Sequence, residues 1–179
     1  MMNRLSTHKV TTIALLGIAL FASTAPAQTA KDLIGAWTLV SDENVRADGS
    51  RVQVMGPNPQ GLLIFDADGR YSLQLLRPGR PKFGSNNRME GTPEENKAAV
   101  QGANPHWGTY SVNEANKTID FKIEHAFFPN WEGTEQKRPF TITGDQLRYT
   151  ATASTGGTAE LFGNGPNESS DRRVRRNAA

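Results

Sequence analysis

The sequence contains no cysteine, which excludes a disulfide framework and any thiolate chemistry, whether nucleophilic or metal-binding. Histidine is nearly as scarce, with three in the whole chain, at positions 8, 106 and 125. No His-x-His or His-x-x-x-His spacing occurs, so a zinc centre would need carboxylates that no pattern supplies, and no metal is expected. A Gly-x-Ser-x-Gly elbow and a glycine-rich phosphate loop are both missing, so serine hydrolysis and nucleotide binding have no positive sign and no cofactor is expected. Asp66-x-Asp68-Gly69 has the opening of a calcium loop, but Arg77 stands where the bidentate glutamate belongs, and a hairpin turn explains the motif better.

Long apolar runs are missing apart from residues 10–21. That run follows Arg4 and Lys9 and precedes Ala25-Pro26-Ala27, the arrangement of an export signal with a small-x-small cleavage site. It is shorter than the roughly 20 residues that span a bilayer. The expectation is a signal peptide over residues 1–27 and one mature domain over residues 28–179, periplasmic or secreted, with no membrane span after cleavage. A chain of that size buries roughly 70% of its unfolded surface and forms a core without disulfides. An excess of one charge is missing as well. Of 20 Lys and Arg against 18 Asp and Glu, two basic residues lie in the signal, so the mature segment is formally neutral and a nucleic-acid partner is not expected. Arg172, Arg173, Arg175 and Arg176 read as a solvated or strand-exposed face.

What is present is alternation. In residues 118–127 Ile119, Phe121, Ile123, His125 and Phe127 share one face of an extended strand, and Asp120, Lys122 and Glu124 share the other. By that parity His125 faces inward, near Tyr110 or Gln74, and needs a partner or ligand there. The strand ends at Pro129-Asn130-Trp131-Glu132-Gly133, a turn with a large aromatic in it. Strands are also predicted over residues 37–41, 51–55, 62–65, 70–76, 108–112, 136–143, 146–153 and 158–162, separated by turn signals, with residues 171–176 as a last strand that closes the sheet. Thr92, Pro93 and Glu95 form a helix start with a capping box, which predicts one short helix, Pro93–Gln101, too poor in apolar residues for a core position. The fold class is therefore all-β, an up-and-down antiparallel β-barrel with one short helix.

Several stretches resemble a known family. Leu33-Ile34-Gly35-Ala36-Trp37 carries the Gly-x-Trp of the lipocalins, and Gly56-Pro57-Asn58-Pro59-Gln60-Gly61, Gly91-Thr92-Pro93-Glu94-Glu95 and Phe128-Pro129-Asn130-Trp131-Glu132-Gly133-Thr134 are similar to the bacterial and fungal lipocalin-like domains. The resemblance implies a small β-barrel with an internal cavity and no assigned chemistry. It also implies that Gly35 and Trp37 are structural and that an arginine of the last strand, Arg173 or Arg175, packs over Trp37. The segment 163–170, rich in Gly and Asn, departs from the family pattern.

Polar or aromatic residues on otherwise apolar strands are the candidate cavity lining: Tyr71, Gln74, Tyr110, His125 and Arg138, with Phe127 at the mouth and Trp131 as its gate. An eight-stranded barrel either fills itself with side chains or holds one small ligand. The first reading is an exported protein that binds a small, mostly apolar molecule. The second is an isomerase or cyclase with His125 as general acid or base and Tyr110 or Arg138 stabilising developing charge. The third is a filled barrel that acts through its surface.

Overall fold

The period-two pattern folds into antiparallel strands. The computed structural model describes residues 28–165. Nine antiparallel strands follow in order: β1 (Gly35–Val45), β2 (Arg51–Val52), β3 (Gln60–Phe65), β4 (Arg70–Leu76), β5 (His106–Asn113), β6 (Thr118–Ala126), β7 (Glu135–Thr143), β8 (Gln146–Thr152) and β9 (Thr158–Asn164). Thr38 pairs with both Leu62 and Asn164, and Asn44 pairs with both Val52 and Ala159, so β9 runs along one edge of β1 while β2 and β3 share the other. The pair β2 and β3 is thus one wall position interrupted by the excursion 53–59, and eight wall positions close into a barrel.

Closure differs from the expectation in one respect. The strand that seals the sheet is β9, paired with β1 from Thr38 to Val45, so no later strand is required. Residues 171–176 lie outside the described residues, as do residues 1–27 and both candidate arginines, Arg173 and Arg175. Gly163 and Asn164, read as loop from composition, belong to β9.

One end of the barrel is a packed floor. A short helix that the pattern did not reveal, α1 (Ala30–Leu33), enters it, with the Asp32 carboxylate accepting from the Thr29 backbone N–H at 2.7 Å. Leu33 is fully buried, and its carbonyl accepts a hydrogen bond from Trp37 Nε1 at 2.7 Å. Gly35 between them has φ of 132°, which an L side chain rarely adopts, so the Gly-x-Trp glycine is a backbone requirement. Phe65, Tyr110, Ile119 and Phe121 complete the layer, each 9% exposed or less. Burying each of the larger side chains contributes roughly 1.5–3 kcal/mol.

The helix α2 (Pro93–Gln101) forms where the capping box placed it. Thr92 Oγ1 accepts from Glu95 N at 3.2 Å and the Glu95 carboxylate accepts from Thr92 N at 2.8 Å. It buries none of its residues and stands at the open end, beside the bridge between Leu76 and Ala103.

Two irregularities decide what faces inward. On β6 the register with β5 shifts, so that Gly108 opposes Ile123 and Trp107 opposes His125, leaving Glu124 as an extra residue. That β-bulge reverses the parity beyond Ile123. Gly108 permits it: a Cβ there would lie 2.0 Å from the Lys122 carbonyl oxygen. Gly108→Ala should therefore destabilise the fold by about 1–3 kcal/mol or more, read as a lower urea midpoint. On β1 a second shift falls between Leu39 and Ser41. Trp37 and Leu39 point inward before it, and Asp42 and Asn44 are the buried pair after it.

Candidate functional site

Above the floor lies an internal cavity of about 370 Å³ that opens at the α2 end of the barrel. Leu73 and Leu75 of β4, Ala151 of β8, and Ala159 and Leu161 of β9 give it apolar walls. Val100 of α2 and Phe127, Phe128 and Trp131 stand at the mouth. That volume is room for a small ligand, which a barrel filled by its own side chains would lack. A broader groove of about 530 Å³ crosses the outer surface of β7, β8, β9 and β1, but Arg51 there pairs with Glu43 and Glu160 at 2.9 and 2.6 Å on exposed side chains. Such pairs are a solvated surface feature.

Polar groups converge at the inner end of the cavity. Arg138 of β7, which shares parity with Phe140, is 2% exposed, and its guanidinium lies 4.4 Å from the Phe121 ring centroid and 5.5 Å from that of Tyr149. Its Nη2 donates to Gln136 Oε1 at 2.9 Å and faces His106 Nε2 at 3.4 Å. The ion pairs among the described residues involve Arg51, Arg70 and His125, and none involves Arg138. A guanidinium cannot lose its proton in a protein, so Arg138 is a buried cation whose acceptors are neutral groups.

His106, at the start of β5, is 1% exposed. Arginine only donates, so Nε2 of His106 accepts and the proton resides on Nδ1, which donates to Tyr71 Oη at 2.9 Å. Burial, and then the Arg138 charge, hold this imidazole well below its ordinary pKa of 6.5. It is a neutral ring fixed in one tautomer, and Trp131 meets it edge to face at 5.6 Å.

Asp42 is 6% exposed and lines the same cavity. Among the described residues its carboxyl makes no hydrogen bond and no ion pair, and burial pushes its pKa up to about 6. In an unfolded chain it ionises near 3.9. Between those values the native state holds a proton that the unfolded state has released, so stability falls as pH rises from about 4 to above 6, by about 2–3 kcal/mol in total. Asp42→Asn should recover that amount at pH 8 and nothing at pH 3.5. His106 acts in the opposite sense, since its low native pKa makes stability fall as pH drops below about 6.5. The quantity to measure is therefore the difference in unfolding free energy between variant and wild type at each pH.

The sequence-predicted residues divide. Arg138 is in the cavity, Tyr71 stands behind it as the partner of His106, and Phe127 and Trp131 are at the mouth. His125 is not inside. Its side chain is 62% exposed, against Trp107 at 5.3 Å and 3.7 Å from Glu132, because the bulge at Glu124 turns it outward. The acid–base reading built on His125 loses its base to solvent. Tyr110 belongs to the floor, edge-on to Phe65 at 4.7 Å with its hydroxyl donating to the Asp66 carbonyl. Gln74 is on the outer face, its amide on Ser72 Oγ at 3.3 Å. His106, Asp42 and Asn44 were missed; the parity of residues 106, 108 and 110 was the signal for His106, and only the register shift on β1 places the other two.

Residues 34–161 match the lipocalin-like domain. The chain belongs to this lipocalin-like domain family. A curated relative, the 4'-hydroxy-3'-methoxypropiophenone carrier protein ppsC of Aspergillus oryzae, is 32% identical over 82 residues, which cover 42% of this chain and 74% of that protein. Among solved structures, a redesigned β-barrel covers 80% of this lipocalin-like chain and 100% of its own at 14% identity and a TM-score of 0.41. A variant of the fluorescent protein UnaG covers 76% and 98% at 12% identity and 0.37. Among the described residues no His, Asp and Glu converge into a group of three that could hold a metal ion, and no helix is long and apolar enough to cross a membrane.

Proposed function

We propose that this lipocalin-like protein is an exported carrier of a small, mostly apolar molecule that bears an oxygen acceptor, held in the barrel cavity with that oxygen on Arg138. The buried, carboxylate-free guanidinium of Arg138 carries the reading. Taking such a charge out of water costs several kcal/mol; Gln136, His106 and the rings of Phe121 and Tyr149 offset part of it, and a ligand oxygen in the cavity offsets more. The cavity volume of about 370 Å³ lies near the lower end of the roughly 300–1,000 Å³ usual for small-molecule sites. The walls are aliphatic and the mouth aromatic, which suits a flat, ring-bearing ligand. The name of the Aspergillus oryzae relative points the same way: a hydroxy- and methoxy-substituted aryl ketone is an apolar ring with a carbonyl acceptor. Export is supported by the pattern of residues 1–27, and mass spectrometry of the protein purified from its own host should give an N-terminus at Gln28.

The binding test is a titration with 4'-hydroxy-3'-methoxypropiophenone, followed through tryptophan fluorescence. Saturable quenching is expected, reduced in Trp131→Phe because that indole stands at the mouth. Glucose, polar on every face, should give no response. Absence of saturable binding by the ketone and by a wider set of aryl ketones would refute the reading. Native mass spectrometry of the host-purified protein then identifies what the cavity carries.

A further inference from the structure

The cavity holds a second charged group that Arg138 does not explain. Asp42 of β1 is as buried as the apolar wall around it, lines the cavity and has no hydrogen-bond or ion-pair partner among the described residues. Its neighbour on the inward face, Asn44, donates its amide to Thr155 Oγ1. Tyr149, between them and Arg138, lies in the field of both the Asp42 and Arg138 charges. Strands β9 and β8 separate β1 from β7, so Asp42 and Arg138 stand three strand spacings apart, roughly 14 Å around the wall. They face a shared cavity from different sides rather than pairing across it.

An unpartnered carboxyl in such a position requires a hydrogen-bond donor, and the described residues supply none. We infer that Asp42 is a second polar anchor of the cavity, which selects ligands carrying a hydroxyl at the end opposite the oxygen held by Arg138. This rests on the carrier reading and narrows it to bifunctional molecules: an acceptor at one end, an apolar ring between, and a donor at the other. The bulge between Leu39 and Ser41 is then a specificity device, because with regular pairing on β1 the same carboxyl would face solvent.

The experiment compares 4'-hydroxypropiophenone with its methyl ether, 4'-methoxypropiophenone, by calorimetric titration of the full chain as wild type, Asp42→Ala, Asp42→Asn and Arg138→Met. Wild type should bind the phenol at least about tenfold more tightly than the ether, the difference that a hydrogen bond to a charged group provides. Asp42→Ala should bring the two within about twofold of each other, chiefly by weakening the phenol. Asp42→Asn, which keeps the shape and one acceptor, should fall between. Arg138→Met should weaken both compounds by the same factor and keep their ratio. Equal wild-type affinities, or a preference that survives Asp42→Ala in a variant with an unchanged near-ultraviolet spectrum, would overturn the assignment and leave the carrier reading standing. Failure of wild type to bind either compound would overturn the assignment, and failure across the wider set of aryl ketones would overturn the carrier reading as well.

Discussion

Trp37→Ala should lower the unfolding free energy by roughly 3–5 kcal/mol, a loss visible as a large fall in the urea midpoint with little change in slope. Trp37 is 5% exposed, and its indole N–H is committed to the Leu33 carbonyl that α1 brings to the floor. The β9 end leans on the ring: a Cβ on Gly165 would lie 2.8 Å from Trp37 Cζ3. Truncation therefore opens a cavity, strands the Leu33 carbonyl and removes the surface against which the end of β9 packs. Trp37→Phe should recover most of the packing and not the hydrogen bond, leaving a deficit of about 1 kcal/mol or somewhat more. Equal stability of Trp37→Ala and wild type would show that α1 and Gly165 do not depend on the ring.

Arg138→Met should separate binding from stability. A charge-assisted hydrogen bond contributes about 1.5–3 kcal/mol, so affinity for an aryl ketone should fall by roughly 10–100-fold. The gain from losing a buried charge is offset in part by stranding His106 Nε2 and Gln136 Oε1 without their donor, so stability should stay within about 1–3 kcal/mol of wild type. The cation–π contacts with Phe121 and Tyr149 oppose that gain by on the order of 1–2 kcal/mol. A structural arginine would give the opposite outcome: a marked loss of stability with ligand affinity intact in the folded fraction.

How much of this was legible in the chain depends on where the pleat is regular. On β7 the alternation runs unbroken through Arg138 and Phe140, and parity alone put the guanidinium inside. The hairpin between β3 and β4 and the capping box of α2 were readable for the same reason, since their signals are local. At Glu124 and between Leu39 and Ser41 the pleat is not regular. A single extra residue reverses every side chain beyond it, so the inward row 119, 121, 123 delivered His125 to solvent, and the outward row of β1 delivered Asp42 and Asn44 to the cavity. A glycine in a strand marks one of the two shifts, since Gly108 is the residue against which β6 folds in. No comparable residue flags the other: the fit of β1 against β9 sets it, and Gly163, the partner of Leu39, lies more than 120 residues away in sequence. Part of the cavity's polar content, Asp42 and Asn44, is thus written in tertiary register.

The most direct test of Arg138 as the anchor of a carried ligand is a crystal structure of the protein with 4'-hydroxy-3'-methoxypropiophenone bound. The account predicts the ring between the aliphatic walls of β4 and β9, with the carbonyl oxygen about 3 Å from the Arg138 guanidinium. A ligand seated in the outer groove around Arg51, or one inside the barrel with its carbonyl turned to the mouth and Arg138 untouched, would contradict it.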